Sequence, residues 1–371
     1  LTRTPKMSQN YSIHSIKVAQ NKSMKTIVFT GGGTAGHIMP NVALFPEAKK
    51  HFDKIAYIGS SGMEKQIIGS AKDVDFYEID AVKLVRSLTL KNLAIPFKLH
   101  KSIRQAKKIL KKLQPNVVFS KGGYVSLPTV IAAKKLKIPV ISHESDMTMG
   151  LANKIIYRYS DKMLTTFECT SKGKSKCVFV GSPIREKVLK GNKNNLNLHF
   201  GNKPNILFFG GSLGAKKIND AVENALPELT KKYNIIHLTG KGKKLNLKTI
   251  YPNYYQQEYA NNIEDFFNLA DLVVTRGGAN ALFELLAIQK PMLIIPLPKA
   301  ESRGDQLDNA KYFSEKGYAK VLYQENLTTK TLLNALDELE KDKEKIKKAM
   351  EKAPQKNSNQ KIMEIIAKTA K

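Results

Sequence analysis

The sequence contains no tryptophan and only two cysteines, Cys169 and Cys177, among its 371 residues. Neither cysteine has the CxxC or metal-ligand spacing of a zinc or redox site, and two thiols are too few for a disulfide framework. Cysteine usage of this kind favours a reducing compartment. No apolar run reaches the roughly 18 residues that a membrane-spanning helix needs. Any membrane contact is therefore expected to be peripheral.

Acidic residues are also scarce, since 32 Asp and Glu face 61 Lys and Arg and leave a net charge of +29. Such a surplus is typical of proteins that contact nucleic acid, an anionic membrane surface or anionic substrates. A nucleic-acid-binding protein predicts aromatic residues among its basic residues and a recognisable module. The lysine clusters here are separated by aliphatic residues instead, which disfavours that class.

From Met24 onward, short β-branched runs alternate with helical stretches, which predicts an α/β fold with two doubly wound, Rossmann-like domains facing a central cleft. The predicted strands are 26–29, 55–58, 76–79, 117–119, 140–142, 163–165, 178–180, 206–209, 235–238, 272–275, 292–295 and 319–322. The predicted division is a disordered or extraneous tail over 1–23, a first domain over 24–185, a linker over 186–204, a second domain over 205–340 and a solvated helical tail over 341–371.

Each half contains a glycine-rich turn between a strand and a helix. In the first, Gly31-Gly32-Gly33 and Thr34-Ala35-Gly36 lead to His37, and the second lies in Asn205–Ala215, NILFFGGSLGA. Such turns expose backbone N–H groups that hold phosphate, although they also occur simply to pack a helix on a sheet. Two of them, one per half, suggest a nucleotide-linked substrate in the cleft.

A third segment, Ala270–Pro298, carries Arg276-Gly277-Gly278 before a helix with Glu284 in its second turn. A carboxylate there could accept both hydroxyls of a ribose, while a surface helix residue is the alternative. Downstream, Gln306 and Asn309 lie three residues apart on one face of a helical start.

Taken in order, these segments resemble the MurG family of bacterial N-acetylglucosaminyltransferases. The motifs that carry the resemblance are GGGTAGHIMP, SKGGYVSLP, HESDMTMGLANK, GSPIR, GGSLGA, TRGGANALFELL and SRGDQLDNA. The resemblance implies the B-type glycosyltransferase fold and an inverting transfer from UDP-N-acetylglucosamine. It implies the 4-hydroxyl of N-acetylmuramoyl-pentapeptide on undecaprenyl pyrophosphate as acceptor, so that lipid I becomes lipid II in peptidoglycan synthesis.

The resemblance also implies the donor site. Its residues are expected to be Thr34, Ala35, Gly36, Arg185, Ser212, Ile263, Ala279, Asn280, Ala281, Leu282, Phe283, Glu284 and Gln306. Glu284 matches the ribose-binding carboxylate and Ser212 the diphosphate contact. Arg185 could supply charge to the donor phosphate or sugar, and an interdomain salt bridge is its alternative role.

His37 is the candidate general base, because it lies at the mouth of the first turn with a near-neutral intrinsic pKa. Its alternative role is to orient substrate or hold the turn. Glu144 and Asp146 are the fallback carboxylates, and with Tyr124 and Asn309 they are expected to line the acceptor side of the cleft. Many family members have Asn where this chain has Asp146, which puts the donor contact of that position in doubt.

No cofactor and no essential metal are predicted, since helix N-termini and Arg185 can neutralise the diphosphate. Asp73-Val74-Asp75 matches a metal-binding DxD pattern by spelling only, because it lies beside a strand start and away from the glycine turns.

The stretch Ala81–Lys112 contains no acidic residue and interleaves apolar with basic side chains. Apolar residues ringed by cations are what a peripheral protein needs to dock on anionic lipid, although an amphipathic core helix with a basic face is the alternative. The predicted partners are therefore both substrates and anionic lipids, with no nucleic acid, at the cytoplasmic face of the cell membrane. The predicted membrane contacts are Leu84, Val85, Leu88, Lys91, Ile95 and Phe97.

Two neighbouring activities share this type of fold: UDP-sugar:diacylglycerol glycosyl transfer and UDP-N-acetylglucosamine 2-epimerisation. The HESD and SKGGYVSLP motifs favour lipid I glycosylation over both. A dinucleotide oxidoreductase is disfavoured, because the first turn lacks the GxGxxG pattern and no acidic residue closes the strand Ile55–Ile58.

Overall fold

A computed structural model describes residues 24–69, 71–81, 95–211, 214–354 and 358–371. Within them, thirteen strands form two sheets in which each pair of neighbouring strands is parallel. Helices connect the strands, as a parallel sheet requires.

The first sheet has the strand order β3-β2-β1-β4-β5-β6-β7, so the order reverses between β1 and β4. Its strands are β1 (Thr26–Thr30), β2 (Lys54–Gly59), β3 (Asp75–Glu78), β4 (Val117–Ser120), β5 (Val140–Glu144), β6 (Lys162–Thr165) and β7 (Cys177–Phe179). The helices between them are α1 (Ala35–Ala48), α2 (Met63–Ile68), α3 (Ile95–Leu113), α4 (Ser126–Lys135), α5 (Leu151–Tyr159) and α6 (Glu168–Ser171).

The second sheet has the order β10-β9-β8-β11-β12-β13 and reverses between β8 and β11. Its strands are β8 (Asn205–Phe209), β9 (Asn234–Leu238), β10 (Tyr254–Gln257), β11 (Leu272–Thr275), β12 (Met292–Ile294) and β13 (Ala319–Val321). Its helices are α7 (Glu186–Leu189), α8 (Lys216–Lys232), α9 (Ile263–Leu269), α10 (Ala279–Ala287), α11 (Asp305–Glu315) and α12 (Thr329–Glu351), and α13 (Asn359–Thr369) ends the chain.

The predicted fold class is confirmed, and each predicted strand is present with ends that differ by one or two residues. Central strands of a parallel sheet are buried on both faces, so they read as continuous apolar runs. β1, for example, is buried throughout. The strand that the sequence did not predict, β10, lies at the sheet edge, and its Tyr and Gln side chains are only half-buried.

The last two helices are packed, in contrast to the solvated tail that we expected. Ile346 and Met350 of α12 are buried in the core of the second sheet. α13 returns to the first sheet, where Met363 and Ile366 are buried beside β1 and α1. Both helices carry an apolar stripe at helical spacing, which the many intervening lysines obscure in the composition.

Residues 186–204 also contact a core rather than spanning open solvent. Val188 of α7 is buried with the second sheet's residues, and Leu196, Leu198 and Phe200 are half-buried against the same cluster. The domain boundaries themselves stay predictions.

Candidate active site between the two sheets

Ligands of doubly wound folds bind at the carboxyl ends of the strands, where the strand order reverses. In this chain the segments after β1 and β5 of the first sheet contact helices α10 and α11 of the second. The Asn280 side chain donates to the carbonyl of Gly36 at 3.0 Å, and Met147 N–H donates to Asn309 Oδ1 at 3.4 Å. The candidate residues from both halves therefore meet in one cleft.

The first glycine turn holds a carboxylate of the protein itself. Gly33 has a φ of +89°, and its N–H donates to Glu64 Oε1. A Cβ on Gly32 would lie 1.8 Å from that oxygen, so a larger residue there would have to displace the Glu64 side chain. Glu64, which sequence analysis missed, thus fills part of the anion-binding turn that we expected to be open. Thr34 occupies the N-cap position of α1 without a side-chain capping hydrogen bond, and Ala35 and Gly36 begin the helix.

His37 lies in the first turn of α1, as predicted. Its Nδ1 is 3.2 Å from the carbonyl oxygen of Lys121, and a carbonyl only accepts, so the proton is assigned to Nδ1. Nε2 is then left as a proton acceptor. Burial, followed by the nearby charge of Lys121, lowers the pKa of His37 to about 4, with Arg303 acting in the same direction. The imidazole is therefore neutral at physiological pH.

Lys121 is a residue of this site that the sequence analysis did not single out. It follows β4 directly, is 1% exposed, and donates from Nζ to Ser145 Oγ. Burial lowers its pKa to about 8, against the opposing effect of the Glu144 and Asp146 carboxylates. A charged residue that immediately follows a buried strand at the switch point was the signal that could have identified it.

Glu144 shapes its own loop rather than presenting its carboxylate to the cleft. Its Oε1 accepts from Asp146 N–H at 3.0 Å, and its Oε2 accepts from Gly150 N–H and Asn153 Nδ2 at 3.4 and 2.9 Å. Tyr124 packs against Gly33, where a Cβ would come within 2.4 Å of the ring. These contacts favour a supporting role for both.

Asp146 joins the two halves of the molecule. Its Oδ2 accepts from Arg303 at 3.1 Å and its Oδ1 from Asn309 Nδ2 at 3.4 Å. Burial and the carboxylates of Glu144 and Asp305 raise the pKa of Asp146 to about 6. Asn309 is fully buried between Asp146 and the carbonyl of Gly277, so it bridges the two halves rather than lining open space.

Arg185 and Glu284 form a bidentate ion pair. Arg185 Nε and Nη2 donate to the two carboxylate oxygens of Glu284 at 2.6 and 2.8 Å, and the side chains are 19% and 11% exposed. The ion pair that sequence analysis held open for Arg185 is therefore present. Each carboxylate oxygen keeps a further lone pair, so the pair leaves room for a ribose hydroxyl on Glu284.

The other residues of α10 that were predicted to bind the sugar nucleotide differ in how deeply they are buried. Leu282 and Phe283 are core residues, and Phe283 makes edge-to-face contacts with Phe167 and Phe313. Ala279 is also buried, whereas Ala281 is half-buried. Leu282 and Phe283 can therefore contact the sugar nucleotide only through their backbone atoms, because their side chains are buried in the core.

Two further donor candidates differ in their placement. Gln306 Oε1 accepts from Gly277 N–H and Leu297 N–H at 3.2 and 3.1 Å, which leaves its Nε2 to donate. Ile263 begins α9 and is half-buried. Ser212 lies outside the described residues.

Of the predicted membrane contacts, Leu84, Val85, Leu88 and Lys91 lie outside the described residues. Ile95 is half-buried at the start of α3, and Phe97 two residues later is 80% exposed. Among the described helices none is long and apolar enough to cross a membrane.

The DxD pattern lies away from the cleft. Asp73 pairs with Lys49, and Asp75, the first residue of β3, pairs with Lys54. In the part of the chain that the structure describes, no three His, Cys, Asp or Glu side chains are grouped to hold a metal ion.

Comparisons with known proteins agree with this geometry. Residues 27–165 match the glycosyltransferase family 28 N-terminal domain, and residues 205–366 match the C-terminal domain of that family. A Bacillus thuringiensis subsp. konkukian protein is 47% identical over 93% of this chain and 99% of its own length. It is named UDP-N-acetylglucosamine--N-acetylmuramyl-(pentapeptide) pyrophosphoryl-undecaprenol N-acetylglucosamine transferase 2. A Lachnospira eligens protein is 46% identical over 94% of this chain and 100% of its own length. It has the same name without the final numeral.

Solved structures show the same architecture. The crystal structure of MurG from Acinetobacter baumannii has a TM-score of 0.71 and 26% identity, with 93% of this chain and 99% of that chain covered. A UDP-GlcNAc 2-epimerase from Neisseria meningitidis, solved with UDP-GlcNAc bound, has a TM-score of 0.65 at 15% identity over 92% of this chain and 99% of its own, and so shares the fold alone.

Proposed function

The chain belongs to glycosyltransferase family 28, and we propose that it transfers N-acetylglucosamine from UDP-N-acetylglucosamine to the 4-hydroxyl of lipid I, forming lipid II for peptidoglycan. The observation that carries this proposal is the 47% identity, across nearly the whole of both chains, to a transferase named for these substrates. The cleft supports it, because the expected donor and base residues converge there from both sheets.

The donor half of the site is proposed to lie on α10. Glu284 binds the ribose hydroxyls, and Arg185 holds the orientation of that carboxylate through two hydrogen bonds. The N-terminus of α10 and the second glycine turn supply backbone N–H groups for the diphosphate. These donors stabilise the charge that develops on UDP as it leaves.

His37 is proposed to remove the proton from the acceptor 4-hydroxyl. Conversion of an α-linked sugar nucleotide to a β1→4 bond inverts the anomeric carbon, so one in-line displacement is enough and one base is needed. His37 Nε2 is the proton acceptor left free by the Nδ1 hydrogen bond to Lys121. Glu144 is less suited, because its oxygens accept three hydrogen bonds from its own loop.

The test is release of UDP from UDP-N-acetylglucosamine with and without a short-chain lipid I analogue. We expect turnover only with the acceptor, and no loss of rate on addition of EDTA, because the site is proposed to need no metal. Turnover without acceptor would indicate a hydrolase or epimerase and overturn the proposal. Turnover with diacylglycerol in place of the lipid I analogue would reassign the acceptor.

The start of α3 is proposed to contact anionic lipid at the cytoplasmic face of the membrane. Phe97 is 80% exposed, and Lys98, Lys101 and Arg104 are exposed on the same helix. An exposed aromatic side chain beside cations is the arrangement that inserts into a lipid headgroup layer.

We expect Phe97→Ser to lower the affinity for phosphatidylglycerol vesicles, measured by co-sedimentation, about tenfold. The reason is that burial of a Phe side chain contributes roughly 1.5–3 kcal/mol. Ile250→Ser is the matched control, because Ile250 is 92% exposed but lies in the other half of the chain. An equal loss of vesicle binding in both variants, or vesicle binding that does not weaken as the salt concentration rises, would contradict this placement.

A further inference from the structure

A directed chain of hydrogen bonds crosses the cleft and begins at the buried ammonium of Lys121. Lys121 Nζ donates to Ser145 Oγ, and the Ser145 hydroxyl donates to Asn280 Oδ1 at 3.1 Å. Asn280 Nδ2 then donates to the carbonyl of Gly36 at 3.0 Å. The Gly36 carbonyl only accepts, so Asn280 Nδ2 faces it and Asn280 Oδ1 faces Ser145. The ammonium of Lys121 only donates, so Ser145 accepts from Lys121 and gives its own proton to Asn280 Oδ1.

The chain links the two groups whose relative position the transfer reaction depends on. Gly36 immediately precedes His37, the proposed base. Asn280 is in the first turn of α10, the helix that carries Glu284 and so the proposed ribose site. The 3.0 Å hydrogen bond between Asn280 and Gly36 therefore holds the proposed base in position relative to the bound UDP-N-acetylglucosamine.

We propose that Lys121 is a positioning residue for glycosyl transfer, which acts through Ser145 to hold Asn280, and with it the N-terminus of α10, against the turn that carries His37. This inference rests on the proposed function. Lys121 itself reaches neither substrate in this arrangement, because it is 1% exposed behind Ser145.

The chemistry of Lys121 argues against a purely structural role. Lys121 donates to a neutral hydroxyl, and its burial costs desolvation energy that an apolar side chain of similar length avoids, which offsets the loss of the ammonium in such a variant. The nearby carboxylates of Glu144 and Asp146 compensate the charge. Positioning predicts that Lys121→Met leaves stability intact and lowers turnover.

The experiment measures kcat for transfer to the lipid I analogue, the Kd for UDP by calorimetry and the Tm of each variant. For Lys121→Met and Ser145→Ala we expect kcat to fall about 10- to 100-fold, because small misplacement of reacting groups has effects of that size. The UDP Kd is expected to change less than about threefold. Ser145→Thr keeps the hydroxyl and is expected to recover most of the rate.

Ser142→Ala is the matched control. Ser142 is also a buried serine, in the middle of β5, but its Oγ bonds Ser160 Oγ and takes no part in these hydrogen bonds. It is expected to leave kcat unchanged. The double variant Lys121→Met/Ser145→Ala is expected to be no slower than the slower single variant, because both changes break the same chain.

Multiplied losses in the double variant would overturn the inference, as would wild-type kcat in Lys121→Met. A loss confined to Tm or to the UDP Kd would show a structural role instead. If the wild-type protein shows no acceptor-dependent UDP release, the proposed function fails. That result differs from the results above, which test only the role of the hydrogen bonds from Lys121 to Gly36.

Discussion

Replacement of His37 by alanine is expected to lower kcat by about a hundredfold or more, with little change in the UDP Kd. A positioned general base contributes roughly 10²- to 10⁴-fold, and Nε2 of His37 is the acceptor left by its bond to Lys121. His51→Ala is the control, since His51 is exposed and lies three residues beyond the end of α1. The measurement is kcat for transfer to the lipid I analogue, with calorimetry for UDP.

The pH profile provides a second test of His37. Its pKa is lowered to about 4, so protonation should remove the base only as the pH falls through about 4. An unshifted histidine would instead lose half of its base form near pH 6.5. We therefore expect kcat/KM to stay level from pH 7 to 5, below the pKa of about 8 of Lys121, in an Asp146→Asn background, which removes the carboxyl whose pKa is about 6.

Two outcomes would contradict the base assignment. His37→Ala could retain more than a tenth of wild-type kcat, which would leave the histidine with a turn-holding role only. Alternatively, an acid limb near pH 6 that disappears in Asp146→Asn would point to Asp146 as the titrating group that the reaction requires. Burial and the charge of Lys121 keep His37 neutral, but because they lower its pKa they also make it a weaker base. That weakness is the physical reason to test Asp146 as the alternative base.

The fold was predictable because its information is local. Strands such as Thr26–Thr30 and Leu272–Thr275 are buried on both faces, and their apolar runs have no other interpretation next to glycine turns. Local patterns did not reveal the edge strand Tyr254–Gln257, whose side chains need not be apolar. They also did not reveal that Met363 reaches the core beside β1, more than 300 residues back along the chain.

The site was predictable as a set of positions but not as a set of partners. Arg185 and Glu284 are 99 residues apart, and Ser145 and Asn280 are 135 apart. No spacing rule relates residues at such separations, because the two sheets bring them together. The place of Lys121 directly after a buried strand could have marked its position, but its role depends on its partner Ser145 and on burial that only the folded chain creates.

The substitution Glu284→Gln is expected to reduce kcat/KM for UDP-N-acetylglucosamine about a hundredfold, mainly through KM. Two ribose hydroxyls that donate to a carboxylate contribute roughly 3 kcal/mol more than to a neutral amide, and each 1.4 kcal/mol is tenfold. The change also leaves the Arg185 guanidinium with one acceptor oxygen instead of two and without an opposite charge. Loss of one partner of a buried pair costs about 3–5 kcal/mol, so Tm should fall as well. Initial rates over a range of donor concentrations and thermal unfolding measure the two effects.

The double variant Arg185→Met/Glu284→Gln separates donor binding from stability. Removal of both charges leaves no unpaired guanidinium, so Tm should recover while the donor KM stays high. Glu228→Gln is the control for stability, because Glu228 forms an exposed pair with Lys231, and such pairs contribute about 0–1 kcal/mol. Recovery of donor KM together with Tm would contradict a ribose contact and reduce Glu284 to the structural partner of Arg185. A donor KM higher in the double variant than in Glu284→Gln alone would place Arg185 itself on the donor, since its loss would then add to that of Glu284.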